Sequence, residues 1–527
     1  MLEQEGLAPV ADTVAVPPVA GIPGHVQKHL LKGTSALGLA ILTERGLGFL
    51  ANILAARLGG ASTFGTYSLA ITTANNISTY AAGQIGATAT RFSGKYPHGT
   101  KGYSTLAKAL AIVSLVSACL AVIALWLGAA PIAHLLGKTS ITGLLRWAAI
   151  SAAGMLLLEC ARGFFVGQRR LMALLLLSLL VGLGMIVLLP LAARMHSPVR
   201  MIVSQGCIAM VAVLLCLLLA KPLLLHNAAG AGTAPPLGPM LREIWSFGFV
   251  QLAGLVGSNL AGWWLMTLVA RADTTLVQMS FFAIASQLRN IIGLGPGLLT
   301  EGSYAFMADP DDKASKTPQN VMALCTYMST MVSLVLASAA MILVPWGLTL
   351  LYGRTYAAAG ATTAMAMAVA VVHMGNAPAA ARLSIVSIRA TGVINTAWAI
   401  FVAALAFLFL LHGGNAWQAM GIYLAAHLLS AALVLGVLGA KDHVPGGMVT
   451  VFLLASSTSI VLAGLAYVRA QQAAHTGGIT AVMVAVLVAS LGALALLGSR
   501  HGWLPSKAAV DRMVLAAQGF LQRRAAR

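Results

Sequence analysis

Glu44 and Arg45 stand side by side in LAILTERGLGFLANILAARLGG, residues 39–60, a run otherwise apolar enough to cross a lipid bilayer. Adjacent helical residues point about 100° apart, so the two cannot neutralise each other within one helix. Each needs another helix or a water-filled cavity, because a charge facing acyl chains is costly. Arg289, in ASQLRNIIGLGPG, raises the same problem, and a guanidinium cannot escape it by losing a proton. Eighteen positions separate Arg57 from Asn75 and Arg271 from Arg289, so polar groups recur at similar depth in two parts of the chain. Residues 64–90 are polar over an unusual length, with Asn75, Asn76 and Gln84 among them. A helix of that kind is expected to line a wet interior. The candidate cavity residues are therefore Glu44, Arg45, Asn75, Asn76, Gln84, Arg289, Asn290 and His373. His373 joins them because Gly, Asn and Pro surround it in VVHMGNAPAA and are expected to interrupt its helix.

Plainer readings stand beside these. Glu44 could pair with Arg289 across the bundle as a structural ion pair. Asn52, Asn259 and Asn376 are of a type that commonly bonds helix to helix, and His427 reads as a satisfied core residue. Glu159 and Arg162 fall near a span end, where snorkelling explains them. No Walker motif, HExxH or paired loop carboxylates occur. The chain is read as a non-enzyme without cofactor or metal, and any uphill work must come from an ion gradient or a partner.

The elements that must position these residues follow from composition. Hydrophobic residues make up 59% of the 527 and charged residues 9%, against about a quarter charged in soluble domains. Apolar runs of spanning length recur from about 35–57 to 477–498, about fourteen in all, with short connections. The expected fold is an all-α polytopic membrane protein of about 14 transmembrane helices. AARLGGASTFGTYSLA and VARADTTLVQMSFFA, at the junctions of spans one and two and of seven and eight, look like copies of one motif. Two parallel six-helix lobes related by pseudo-symmetry would explain them, with a solute site between them near the midplane. The expected organisation is a cytoplasmic tail (1–33), a first lobe (34–225), a cytoplasmic loop (226–242), a second lobe (243–440), two more helices (441–499) and a basic tail (500–527). The last would lie on the membrane as an amphipathic helix drawn to anionic lipids.

Most of the 32 Lys and Arg residues fall on the side that carries both termini, which places that side in the cytoplasm. The net charge of +19 punctuates span ends and forms no stripe on a soluble module, so nucleic acid is not an expected partner. Five cysteines lie in or beside apolar runs without metal-ligand spacing and read as small core residues. The first thirty residues lack the form of a signal peptide.

RGLGFLANILAARLGGASTFGTYSLA, followed by AAGQIGATATRFSGKY, resembles the amino-terminal signature of bacterial polysaccharide repeat-unit flippases. These belong to the multidrug/oligosaccharidyl-lipid/polysaccharide exporter superfamily. LTLLYGRTYAAAG, residues 348–360, resembles a second landmark of that family. The resemblance implies two six-helix lobes in a V around a cavity, with two extra carboxyl-terminal helices. It also implies movement of an undecaprenyl-pyrophosphate-linked oligosaccharide between leaflets of the bacterial inner membrane, with a polysaccharide polymerase complex as a candidate partner. Basic cavity residues are usual in such relatives, and Arg45 and Arg289 fit that role. Glu44 departs from it and stays open as an ion site or an Arg partner. The alternatives are a multidrug or metabolite cation exporter of the same superfamily, and a polysaccharide polymerase or ligase. Carboxylates facing the solute would mark the first, and a large catalytic loop the second.

Overall fold

The computed structural model describes residues 24–96, 98, 100, 102–225, 235–253, 256–307, 317–411, 413–472 and 476–503. The amphipathic tail expected beyond residue 503 lies outside them, as do residues 1–23 and most of the expected inter-lobe loop. The described residues form sixteen α-helices and no strand, as a chain that must satisfy its backbone within lipid requires.

In the first half these are α1 (Gly24–Ala82), α2 (Ile85–Lys95), α3 (Gly102–Leu135), α4 (Thr142–Gly167), α5 (Leu171–Arg194) and α6 (Pro198–Leu225). Next come α7 (Leu237–Ala253), α8 (Val256–Ala272), α9 (Val277–Ile292) and α10 (Leu294–Met307). The chain continues as α11 (Thr317–Tyr352), α12 (Gly360–Val386), α13 (Ile388–Leu410), α14 (Ala416–Gly439), α15 (Met448–Gln471) and α16 (Thr476–Arg500).

Eleven of the helical segments are long and apolar enough to cross a membrane. One of them, α1, is two helices joined at Gly60, whose backbone (φ 76°, ψ 166°) is open to glycine and strained for other residues. The shorter helices α7 to α10 occupy the stretch where the seventh and eighth spans are expected. The polar second span is broken at Gly83 and Gln84, both left-handed, and α2 continues it towards the opposite end. The eighth is broken at Gly293. Around His373 the expected interruption is absent: α12 runs unbroken through Pro378. Proline removes a single backbone bond, and neighbouring helices hold the helix in place. α12 is the centre of the second lobe, with 67% of its most apolar stretch buried against 17% for α16 at the rim. Its Ala- and Gly-rich faces let α9, α11, α14 and α15 approach closely.

α15 and α16 pack on α11 as the extra pair. Arg469, only 4% exposed, pins them there. Its guanidinium donates to the carbonyls of Met341 (2.7 Å) and Ile342 (3.0 Å) on α11, and to Thr480 (3.1 Å) on α16. Of the cysteines, Cys160, Cys216 and Cys325 are buried as expected, whereas Cys119 and Cys207 face outward.

Two junctions mirror each other across the lobes. Arg57, ending the first span, donates to the carbonyl of Leu350 at the end of α11 (2.5 Å). Arg271, ending the seventh, donates to the carbonyl of Leu135 at the end of α3 (3.4 Å). Each acceptor helix ends in the same way, LLGKTS at 135–140 and LYGRTY at 351–356, with Gly137 and Gly353 at positive φ. Further bonds close the lobes at this end: Ser62 to the carbonyl of Thr275 (2.7 Å) and Tyr356 to that of Ala56 (3.1 Å). Gly65 lies so close to the backbone of Leu276 that any Cβ there would collide with its carbonyl.

Candidate functional site

The alternation of directions along α1 sends Glu44 and Arg45 to different places. Glu44 points into the first lobe, where Arg162 of α4 forms an ion pair with it and Ser178 of α5 donates to its other oxygen (3.2 Å). Arg162 also holds Glu159, one turn earlier, at 2.6 Å. The Arg162 and Glu44 side chains are 14% and 23% exposed. The expected snorkelling of Arg162 is thus overturned: its guanidinium turns in to Glu44, and Glu159, its second partner, stays half exposed (52%). The alternative pairing of Glu44 with Arg289 is not formed either. The reason is geometric, since Glu44 faces α4 and α5 while α9, which carries Arg289, lies against another face of α1.

Close approach of α2 to α4 builds the pocket beside this triad. Gly163 sits against the backbone of Gly86 with no space for a side chain. The pocket, of about 480 Å³, is lined by Asn75, Gln84, Glu159 and Arg162, with Thr79 and Thr90 adding hydroxyls.

Arg45 faces the other way, into a cavity of about 200 Å³ that it shares with Arg289, Asn290, Glu301 and His373. This cavity lies on the seam between the lobes, with Arg45 from one and Arg289 from the other. Among the described residues neither guanidinium forms a salt bridge or a hydrogen bond within the protein. Arg289 lies over the ring of Tyr423 instead, 5.3 Å from its centroid, a contact that attracts a cation without neutralising it. His373 and His427, read from sequence as two separate core residues, stack on each other at 4.5 Å. Behind them Trp398 and Phe282 flank Tyr423, so a ring cluster supports the cationic wall.

A third cavity, of about 430 Å³, lies between the lobes and closer to the bonded end. Asn75, Asn76 and Asn290 line it, and so do Asn259 and Asn52, the latter also donating to the carbonyl of Gly48 (2.9 Å). Gln205, Gln287, Trp263 and Tyr423 were missed. Single amides and rings in apolar helices carry no sequence signal of which way they face. The eight candidates are therefore distributed: Arg45, Arg289, Asn290 and His373 meet at the seam, Asn75, Asn76 and Asn290 at the inter-lobe cavity, and Gln84 in the first lobe's pocket. Glu44 lines none of the three and reaches its pocket only through Arg162.

A bundle of this architecture, with polar cavities inside and between its lobes, is a polytopic helical membrane protein. It is similar to a multidrug resistance MATE family transporter of the MOP superfamily in an inward-facing conformation (TM-score 0.59, 14% identity, 77% of this chain and 98% of that one). It is also similar to the lipid II flippase MurJ in an inward closed conformation (TM-score 0.58, 13% identity, 88% and 98%). A third is the eukaryotic MATE transporter AtDTX14 (TM-score 0.52, 14% identity, 79% and 96%). At these identities the likeness establishes the fold. No curated protein matches the chain. Residues 30–295 match the polysaccharide biosynthesis protein family, and the chain belongs to that family.

Proposed function

We propose that this protein is a flippase carrying an undecaprenyl-pyrophosphate-linked oligosaccharide from the cytoplasmic to the periplasmic leaflet of a bacterial inner membrane, for O-antigen or exopolysaccharide synthesis. One observation carries the reading: Arg45 and Arg289, from opposite lobes, face one cavity at membrane depth, and neither forms an ion pair among the described residues. The sugar–pyrophosphate head cannot cross hydrocarbon unaided, because its charge and hydroxyls would lose their water. Two guanidinium forks offer it several charge-assisted hydrogen bonds, while the prenyl tail stays in lipid beside the seam. Family membership supports a polysaccharide precursor as cargo, and the likeness to a lipid II flippase supports a lipid-linked one.

With both termini in the cytoplasm, the end that carries Gly60 is periplasmic. The bonds from Arg57, Ser62, Arg271 and Tyr356 then close the periplasmic side, and rocking of the lobes would exchange that closure for one at the other end. The polar groups around Arg45 and Arg289, with Asn75, Asn76, Gln84, Asn290 and His373, form the path; Glu44 belongs to the triad beside it. A cation exporter would need unpaired carboxylates there. Glu44 is engaged by Arg162, and in the cationic cavity the single carboxylate among the described lining residues, Glu301, is outnumbered by two guanidiniums, the reverse of what a cation would select. Anionic lipids and a polymerase complex are the proposed partners of the basic tail and the cytoplasmic face.

Proteoliposomes containing the purified protein and a fluorescent polyprenyl-pyrophosphate disaccharide test the reading. Membrane-impermeant quenching should show leaflet exchange that Arg289→Ala abolishes. Transport of an organic cation, without movement of the lipid, would overturn it.

A further inference from the structure

The inter-lobe cavity differs in kind from the seam that holds Arg45 and Arg289. Among the described residues lining it there is no Asp, Glu, Lys or Arg. Its polar wall is made of amides: Asn75, Asn76 and Gln205 from the first lobe, and Asn259, Gln287 and Asn290 from the second. Several of them have capacity to spare. Asn76 donates to the carbonyl of Thr72 (3.1 Å), which leaves its own oxygen free. Gln205 accepts from the Tyr67 hydroxyl (2.8 Å), which leaves its NH₂ free. The oxygen of Gln287 is buried without a partner. The side-chain amides of Asn75, Asn259 and Asn290 make no hydrogen bond to another described residue; the backbone carbonyl of Asn75 accepts from the Thr79 hydroxyl (2.9 Å).

An amide offers donors and an acceptor on one rigid plane, and a sugar hydroxyl needs both. A carboxylate or sulfate needs donors with positive charge behind them, and this wall has none. Trp263 and Tyr423 add flat apolar surfaces, against which the C–H face of a pyranose can lie. Trp263 is fixed for that purpose by donating its ring N–H to Thr73 across the lobes (3.1 Å). The size of the cavity falls within the range of small-ligand pockets, about 300–1,000 Å³. Asn290 lines both this cavity and the cationic one, so the two are neighbours with a shared wall.

We infer that the inter-lobe cavity is a saccharide subsite selective for uncharged sugars, with the pyrophosphate held beside it on Arg45 and Arg289. The inference rests on the flippase reading and gives it a substrate class: repeat units whose first sugars carry hydroxyl and acetamido groups, without uronate or sulfate. A neutral sugar fills the open positions of the amides. An acidic sugar leaves its charge desolvated with no cation to meet it, and a site built on hydrogen bonds rejects a misfit strongly.

The test measures binding of three synthetic lipids to the full-length protein in detergent micelles. They are a polyprenyl pyrophosphate without sugar, the same lipid with a neutral hexose–N-acetylhexosamine disaccharide, and the same with a hexuronic acid replacing the hexose. The neutral glycan should bind at least about tenfold more tightly than the uronate, the cost of roughly one unmet polar group. Asn259→Lys places a cation in the wall, and should reduce or invert that ratio. Because the ratio is read within one preparation, loss of folded protein cannot imitate the change. Equal or tighter binding of the uronate by the wild type would overturn the inference and leave the flippase reading standing, as would an unchanged ratio in Asn259→Lys. Failure of all three lipids to bind would overturn the flippase reading itself.

Discussion

Two sets of charge at membrane depth start from neighbouring residues of α1 and are handled in opposite ways. Inside the first lobe, Glu44, Arg162, Glu159 and Ser178 form a bonded group in which each charge meets its complement. At the seam, Arg45 and Arg289 share a cavity with one carboxylate and, among the described residues, form no ion pair. The first arrangement holds α1, α4 and α5 together and has little left to offer a ligand. The second has the opposite balance: its groups do little for the fold and keep their hydrogen-bonding capacity for something that arrives. Pairing, more than the presence of charge at membrane depth, separates a structural cation from a binding one.

The largest expected effect breaks the paired side. Arg162→Met leaves Glu44 and Glu159 facing each other without their cation. Removing one member of a buried pair typically costs about 3–5 kcal/mol, and the thermal midpoint in detergent should fall accordingly. Glu44→Gln combined with Arg162→Met should recover most of the loss. A double variant as unstable as the single would mean that the triad does not act as a unit.

Next in size is the unpaired side. Arg289→Ala should keep a near-normal thermal midpoint, because no partner is orphaned, yet slow lipid exchange by about two orders of magnitude, the worth of roughly 2.7 kcal/mol. Arg289→Lys should recover only part of that, since an ammonium keeps the charge and loses the planar fork. A large drop in stability with unchanged exchange per folded molecule would reverse the comparison.

A smaller effect tests where the seam opens. Gly65→Val forces a side chain against the Leu276 carbonyl and should part the lobes at the end bonded by Arg57 and Arg271. Asn259→Cys in that background should react faster with a water-soluble maleimide, whereas Ser178→Cys, beside the triad, should not. Equal acceleration at both would show that the first lobe loosens as a whole.

The smallest effect isolates burial from pairing. Lys95 and Glu243 also form a close ion pair, 2.8 Å, between α2 and α7, but both side chains are about half exposed (51% and 47%). Surface pairs contribute little, and Lys95→Met should leave the thermal midpoint unchanged. A drop like that of Arg162→Met would mean that burial is not what makes the triad matter.

Much of this was legible in the chain. Hydropathy announces the helices, since a backbone in lipid has no other way to bond itself. The charges of Glu44, Arg45 and Arg289 stand out against that background, and the 100° step between neighbours already requires Glu44 and Arg45 to part company. The Arg57/Arg271 repeat carried real geometry, each donating to the end of the opposite lobe's third span, and the matching LLGKTS and LYGRTY ends were there to be paired with it. What tertiary structure alone decided is which helix each polar group meets. Arg162 reads as a surface residue near a span end until α4 is set against α1 and α5, where it becomes the partner of Glu44. His373 and His427 lie on α12 and α14, and only their packing makes them a stacked pair. Gln205, Gln287 and Trp263 look like ordinary interruptions of apolar spans until both lobes bring them to one cavity. Sequence periodicity fixes direction about a helix axis, whereas partner choice depends on the rotation and depth of other helices. Those are set by the close contacts of small residues such as Gly86 with Gly163, and Gly65 with Leu276.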